Sequence, residues 1–176
     1  VKEFDEFLDL GIPLTFAILP GERYSRDMAE RLSTLGFDYL LHFPMEPDDP
    51  LVNPGSNAVF VSMTAGEIEK VFYQNLKSVP GAFGVSNHMG SRFTRSSEKM
   101  KTFLQLVKDN GLVFFDSYTT PKTVATKTAN DLSLGVLANQ FFLDVDPDPD
   151  AIEKEIQLLL DRALKKEVTI AIGHVH

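Results

Sequence analysis

The stretch "FDYLLHF", residues 37–43, predicts a buried strand between two predicted helices. Its apolar run is almost continuous, which is typical of a strand covered on both faces of a sheet. A predicted helix precedes it, with Ser25 as the expected N-cap and Gly36 as the end. A second helix follows it, beginning at the capping box "TAGE", residues 64–67. Strands that alternate with amphipathic helices indicate a parallel α/β architecture.

The same alternation continues along the chain. About six strands are recognisable, and the opening helix should follow a further strand upstream. We therefore predict a distorted seven-stranded (β/α) barrel whose first strand is missing from this segment. A doubly wound open sheet is the alternative, although no glycine-rich phosphate loop follows any strand. Further helices are expected from Thr120–Pro121 and from Asp150, and further strands in "PLTFAILP" (13–20), "GAFGVSNH" (81–88), "LVFFDS" (112–117) and "VTIAIGH" (168–174).

Composition narrows the class of protein. A length of 176 residues with 43% apolar residues suits one domain, predicted to cover residues 1–176. The formal charge of -8 argues against nucleic-acid or anionic-membrane partners, which favour clustered Lys and Arg. The absence of cysteine excludes disulfides and thiolate zinc sites. No apolar run approaches the roughly 18 residues of a membrane span, and no signal peptide is visible.

The first residue is Val1, and it begins within a helical pattern. We therefore expect the segment to be part of a longer protein. One long connection, residues 44–62, contains four prolines and no clear period. Loops of this length inside a compact domain are usually functional or disordered. It is interpreted either as a surface excursion or as part of a substrate groove.

Polar side chains stand where most of the predicted strands end. They are His42, His88, Asp116, Asp144 and His174. Because the carboxyl ends of parallel strands share one edge, we expect these side chains to converge there. Neutral imidazole and carboxylate are ligands for zinc, and a catalytic site keeps one position open for water. No two of them have the helical spacing of an HExxH motif, so a metal site would draw ligands from separate strands.

These motifs, in this order, resemble the divergent polysaccharide deacetylase family. The matching stretches are "PLTFAILP", "HFPMEP", "NHMGSRFT", "FFDSYT", "FFLD" and "AIGH", which span nearly the whole chain. The family is related to broader carbohydrate esterases with a distorted seven-stranded (β/α) barrel. The resemblance implies a divalent metal, most often zinc, and removal of acetyl groups from N-acetylated polysaccharides.

The resemblance also assigns roles to individual residues. His42 of "HFPME" and His88 of "NHMGS" look like metal ligands. His174 looks like the general acid, and either Asp116 or Asp144 would orient that histidine. The family pattern begins with an Asp-Asp pair that serves as metal ligand and general base. No such pair follows a strand here, so it would lie before Val1, and the segment is interpreted as truncated at both ends.

Two further residues are candidates for substrate binding. Asn87 and Arg92 could hydrogen-bond the sugar or the oxyanion, while Arg92 has the alternative of a structural salt bridge. His176 would share one side of an extended strand with His174. Two competing functions stay open, namely a glycan- or protein-binding module without turnover and a hydrolase of another amide or ester. The resemblance also implies a carbohydrate substrate and an extracytoplasmic location, in the periplasm or secreted.

Overall fold

The computed structural model describes residues 2–166 and 168–175. The chain divides into two compact units. We call Leu14–Leu137 the sheet unit, and Val1–Pro13 with Ala138–His176 the tail unit. The prediction of a single domain over residues 1–176 stays a prediction. His176, expected beside His174, lies outside the described residues.

Helices and strands alternate through the described residues. The α-helices are α1 (Lys2–Leu8), α2 (Ser25–Leu35), α3 (Ala65–Ser78), α4 (Ser97–Asp109), α5 (Ala125–Asp131) and α6 (Pro149–Ala163), with a short 3-10 helix at Phe93–Arg95. The strands are β1 (Thr15–Ile18), β2 (Asp38–Met45), β3 (Gly84–Met89), β4 (Val113–Asp116), β5 (Val136–Ala138), β6 (Phe141–Phe142) and β7 (Ala171–Ile172). The α/β class is therefore confirmed.

The strands form two sheets. Strands β1 to β5 lie side by side in chain order in a five-stranded sheet, with β1–β2, β2–β3 and β3–β4 paired in parallel. In the tail unit, β6 and β7 form a parallel pair. A seven-stranded barrel is not confirmed, because the seven described strands divide between these two sheets.

A cluster of buried phenylalanines forms the core of the sheet unit. Phe103 of α4 lies 4.8 Å from Phe43 of β2 and 5.6 Å from Phe72 of α3, measured between ring centroids. Phe93 and Phe114 complete the cluster, and all five side chains are fully buried. Aromatic pairs in edge-to-face geometry contribute about 0.5–1.5 kcal/mol beyond the area they bury. This cluster packs the helices against the strands that carry the candidate site.

Helix ends test the capping predictions directly. The capping box is confirmed, since Thr64 Oγ1 accepts from the Glu67 N–H and Glu67 Oε2 accepts from the Thr64 N–H at 2.7 Å. Gly36 ends α2 in the left-handed region, as predicted. Ser25 is the first residue of α2 and not its N-cap; its hydroxyl donates to the Leu19 carbonyl at 2.6 Å.

The predicted helix start at Thr120–Pro121 is wrong. Helix α5 begins at Ala125, and a turn precedes it in which Thr120 Oγ1 accepts from the Lys122 N–H at 3.3 Å. The Val124 N–H donates a hydrogen bond to the carbonyl of Thr94 at 2.9 Å. The helix prediction from Asp150 is close, because α6 begins at Pro149 with Asp148 as its N-cap.

No helix in the part of the chain that the structure describes combines the length and the apolar character needed to cross a bilayer.

Candidate functional site

Two histidines meet at the carboxyl edge of the sheet. The register of β2 against β3 places His42 opposite Ser86 and Pro44 opposite His88. Ser86 and His88 are two residues apart on one strand, so their side chains share a face of the sheet. His42 Nδ1 lies 2.8 Å from Ser86 Oγ, and His42 Nε2 lies 3.3 Å from His88 Nδ1. The strand-end pattern thus brings His42 and His88 into direct contact.

This histidine pair fits two positions of a divalent metal site. Two nitrogens bound to one tetrahedral zinc at about 2.0–2.1 Å lie roughly 3.3 Å apart, which is the separation found. A metal-bound histidine usually donates its second ring N–H to a neighbouring acceptor, and Ser86 Oγ is placed to accept from His42. In the absence of a metal, the same spacing suits an N–H···N hydrogen bond between the rings. Within residues 2–166 and 168–175, no group of three or more His, Cys, Asp or Glu side chains is arranged to hold a metal.

A cleft of about 120 Å³ opens beside His88. One wall is Leu19, Pro20 and Glu22, which follow β1. Residues 53–56 of the long loop and Pro44 also line the cleft. Three of the lining residues are buried prolines, which give the cleft stiff walls: Pro20, Pro44 and Pro54.

The long loop is held against the end of β2. Met45 and Val59 form a parallel bridge, and Val59 exchanges backbone hydrogen bonds with Pro44 and Glu46. Glu46 Oε2 also accepts from the Val61 N–H at 2.7 Å. The sequence left this loop open as either a surface excursion or part of a groove. The structure shows that part of the loop lines the cleft at His88, and that hydrogen bonds fix the loop to the end of β2.

Glu46 also holds Arg92. Its carboxylate lies 3.4 Å from Arg92 Nη1, and its carbonyl accepts from the backbone N–H groups of Arg92 and Phe93. A second pair, Arg95 with Asp48, ties the same loop to the turn after β3. Arg92 thus takes the structural salt bridge that was one of its two interpretations; a substrate-binding role for it stays a prediction.

Asn87 is fully buried between the ends of β3 and β4. Its Oδ1 accepts from the Ser117 N–H at 2.8 Å, and its Nδ2 donates to the Met89 carbonyl at 2.7 Å. The amide therefore fixes the backbone on which His88 stands. A direct contact between Asn87 and a substrate stays a prediction.

Two of the four non-glycine residues with a positive φ among the described residues lie at the same edge. Met89 and Tyr118, which follow His88 and Ser117, have φ values of 55° and 56° in the left-handed region. Non-glycine residues reach this region at a cost, and such positions cluster at functional sites. The Met89 carbonyl accepts from both Asn87 Nδ2 and Thr119 Oγ1, which stabilises the turn. Gly90 follows with a φ of 89°, a conformation that glycine adopts readily, and so lets the chain turn.

Asp116 is buried at the end of β4. Burial raises the pKa of its carboxyl group, and hydrogen bonds from the Tyr118 N–H and the Thr123 hydroxyl, both at 2.9 Å, offset only part of that effect. These contacts order the turn between β4 and α5. The sequence left Asp116 and Asp144 open as partners for His174, and the hydrogen bonds found for Asp116 go to its own turn.

Asp144 and His174 form a pair in the tail unit. The Asp144 carboxylate accepts from the His174 backbone N–H at 2.5 Å and lies 3.0 Å from its ring nitrogen Nδ1. Burial alone would raise the pKa of Asp144, but the hydrogen bonds from His174 and its charge lower the pKa below the usual value. The side chain of Asp144 is 8% exposed and that of His174 is 49% exposed. A shielded carboxylate thus holds a histidine that solvent can reach.

Several contributing residues were missed from the sequence. Phe142 stacks on the His174 ring with centroids 6.2 Å apart and planes within 7°. Ser86 contacts His42, Thr123 contacts Asp116, and Glu22 lines the cleft. Only Ser86 carried a usable signal, because it stands two residues before His88 on the same strand and so shares its face. Phe142 and Glu22 depend on segments distant in the chain, and Thr123 reaches Asp116 across a seven-residue turn.

The chain matches a known protein family along its whole length. The model of the family described as divergent polysaccharide deacetylase matches residues 1–176. The chain belongs to the divergent polysaccharide deacetylase family. The membership indicates a deacetylase-like fold.

The relatives found for this chain are longer proteins. The uncharacterized protein YibQ of Escherichia coli (strain K12) is 31% identical over 174 residues, covering 98% of this chain and 54% of that protein. An uncharacterized protein of Haemophilus influenzae is 29% identical over 161 residues, covering 92% and 57%. The chain thus spans about half the length of the curated relatives it matches.

A solved structure has the same fold. The crystal structure of the uncharacterized protein ATU2773 from Agrobacterium tumefaciens C58 superposes with a TM-score of 0.91. The match covers 97% of this chain and 70% of that one, at 19% sequence identity. The similarity supports the α/β fold and carries nothing about chemistry.

Proposed function

We propose that this protein is a metal-dependent hydrolase that removes acetyl groups from N-acetylated polysaccharide. The observation that carries the proposal is the His42–His88 pair, whose nitrogens lie 3.3 Å apart at the edge of a cleft. The family match over the whole chain supports it. An extracytoplasmic location and a seven-stranded barrel in the longer protein belong to the same proposal and rest on the family resemblance.

His42 and His88 would hold the metal, most simply zinc, through Nε2 and Nδ1 respectively. A bound zinc supplies an acidified water and polarises a carbonyl. Ser86 would keep His42 in the tautomer that leaves Nε2 unprotonated, by accepting from Nδ1. Further ligands would come from outside the described residues, and the family resemblance implies that they include a carboxylate of an Asp-Asp pair.

His174 would donate a proton to the departing sugar amine. Its Nδ1 lies against Asp144, so Nε2 is the nitrogen that would carry this proton. The pKa of Asp144 is lowered, so its carboxylate stays ionised near neutral pH and is available to orient the His174 ring through Nδ1. Phe142, stacked on the ring, would restrict its rotation.

The test uses the full-length protein. Metal content and acetate release from N-acetylated glycans are measured for the wild type, His42→Ala, His88→Ala and the surface control Lys70→Ala, an exposed residue of α3. We expect stoichiometric metal and acetate release in the wild type and the control, and loss of both in the histidine variants. Stoichiometric metal retained in both histidine variants would overturn the ligand assignment.

A second function is glycan binding without turnover on the same fold. It is favoured by one observation, the lack of a third metal-ligating side chain beside the histidine pair among the residues described. Full-length protein that binds N-acetylated glycan with neither bound metal nor acetate release would establish this function in place of hydrolysis.

A further inference from the structure

The cleft beside His88 contains one carboxylate among its lining residues. That carboxylate belongs to Glu22, in the turn that follows β1. The other lining residues are apolar or uncharged, apart from His88. The lining thus includes one carboxylate-bearing residue and one imidazole-bearing residue.

The backbone at Glu22 is firmly held. Its N–H donates to Ser25 Oγ at 2.9 Å, and its carbonyl accepts from the Ser25 N–H at 3.2 Å. The Ser25 hydroxyl donates in turn to the Leu19 carbonyl. Gly21, with a φ of 74°, makes the turn and donates its N–H to Ser78 Oγ. The rim that carries the carboxylate is therefore fixed before any ligand arrives.

The carboxylate itself is available to a ligand. Across the described residues no hydrogen bond or ion pair to the Glu22 side chain is found, whereas Glu46 and Asp48 are paired with arginines. An ionised carboxylate accepts hydrogen bonds and does not donate them. Its best complement in a glycan is a donor with positive charge, because charge-assisted hydrogen bonds are the stronger ones.

We propose that Glu22 is a specificity residue that recognises the protonated amine of a free 2-amino sugar. The cleft would then prefer glycan chains that already carry deacetylated units over fully acetylated chains. This inference rests on the proposed function for its substrate class, since removal of an acetyl group from an N-acetylated sugar leaves such an amine. It assigns Glu22 to binding and not to the chemical step.

The test measures binding, so that it is separate from turnover. Full-length wild type, Glu22→Gln and the control Glu69→Gln, an exposed residue of α3, are titrated with an oligosaccharide of glucosamine and with the same oligosaccharide fully N-acetylated. Glutamine keeps the size of the side chain and removes its charge. We expect Glu22→Gln to bind the glucosamine chain about two- to five-fold more weakly, as for one solvent-accessible ion pair. The loss should shrink in high salt, because screening weakens exposed pairs.

The outcomes separate the two proposals. Unchanged affinity of Glu22→Gln for the glucosamine chain would overturn the role of Glu22. Equal weakening for both oligosaccharides would also overturn it, because the carboxylate would then be serving hydroxyl groups. Selective weakening in a protein that releases no acetate would support Glu22 as an amine site while contradicting the proposed hydrolase.

Discussion

Asp116 and Asp144 look equivalent in the sequence, since each stands at the end of an apolar stretch. In the structure, their pKa values shift in opposite directions. Burial dominates at Asp116 and raises its pKa, while contacts with His174 outweigh burial at Asp144 and lower its pKa. Which effect wins depends on the partners each carboxylate meets, and those partners are distant in sequence from Asp144. A strand-end pattern alone does not contain that information.

The raised pKa of Asp116 predicts a stability that falls as pH rises. A carboxyl with a folded pKa above its unfolded value of about 3.9 binds more protons in the folded state between those two values. The free energy of unfolding should therefore decrease from about pH 4 up to the raised pKa. Asp116→Asn, which cannot ionise, should remove this slope. Urea unfolding of both proteins across that range checks it, and parallel curves would contradict it.

The lowered pKa of Asp144 predicts the opposite pH dependence, namely a free energy of unfolding that rises with pH. Its folded pKa lies below the unfolded value, so its contribution is present above about pH 4 and is lost as pH falls through the folded pKa. Asp144→Asn should lower the free energy of unfolding at pH 7 by about 1 kcal/mol, which is the usual net contribution of one hydrogen bond. The bond concerned is the one between the Asp144 carboxylate and His174. The loss should fade at acid pH. Urea titrations at pH 7 and in acid test this, and an equal loss at both would count against it.

His174 and Asp144 also make a kinetic prediction in the full-length protein. His174→Ala should reduce kcat for acetate release by about 100- to 10,000-fold, the range for a general acid. Asp144→Asn should reduce it less, because the ring is still present but loses the carboxylate that orients it. Steady-state kinetics with metal content measured in parallel checks this. An Asp144→Asn loss larger than that of His174→Ala would rule out the positioning role.

At the level of elements, the sequence predicted that helices exist more reliably than it predicted the residue at which each one begins. The box at Thr64 and Glu67 could be found because both partners lie within four residues. The start of α5 could not, because the Val124 N–H bonds the Thr94 carbonyl, thirty residues away. The strands around His42 and His88 were predictable from continuous apolar runs. Their contact follows from the register of β2 against β3, which no local pattern specifies.

Gly90, in the turn that ends β3, is expected to tolerate no side chain. A Cβ added at Gly90 would lie 2.9 Å from Met45 Cβ, in a backbone conformation that disfavours side chains. Gly90→Ala should therefore destabilise the protein by about 1–3 kcal/mol. Gly66→Ala in α3, where a Cβ meets nothing within 4 Å, is the matched control and should not destabilise. Thermal unfolding compares them, and equal Tm values would refute the prediction.

Over the whole molecule, helices of similar length differ in how deeply they pack. Helix α4 buries Met100, Phe103, Leu104 and Val107, whereas α6 has no buried residue among those described. Tertiary packing supplies most of the stability of a protein helix. Amides of α6 should therefore exchange hydrogen faster than those of α4, which sits at the phenylalanine cluster. Hydrogen exchange read by mass spectrometry tests this, and equal protection would contradict it.

The double contact between Asp144 and His174 has a consequence for entropy. The same carboxylate engages the backbone N–H and the ring of one residue, so it couples the peptide plane to the side-chain rotamer. With Phe142 stacked on the ring, χ1 and χ2 of the histidine are confined during folding. Fixing a side chain costs free energy at whichever step it occurs. Here the cost falls on folding, so a ligand that meets His174 encounters a group already oriented.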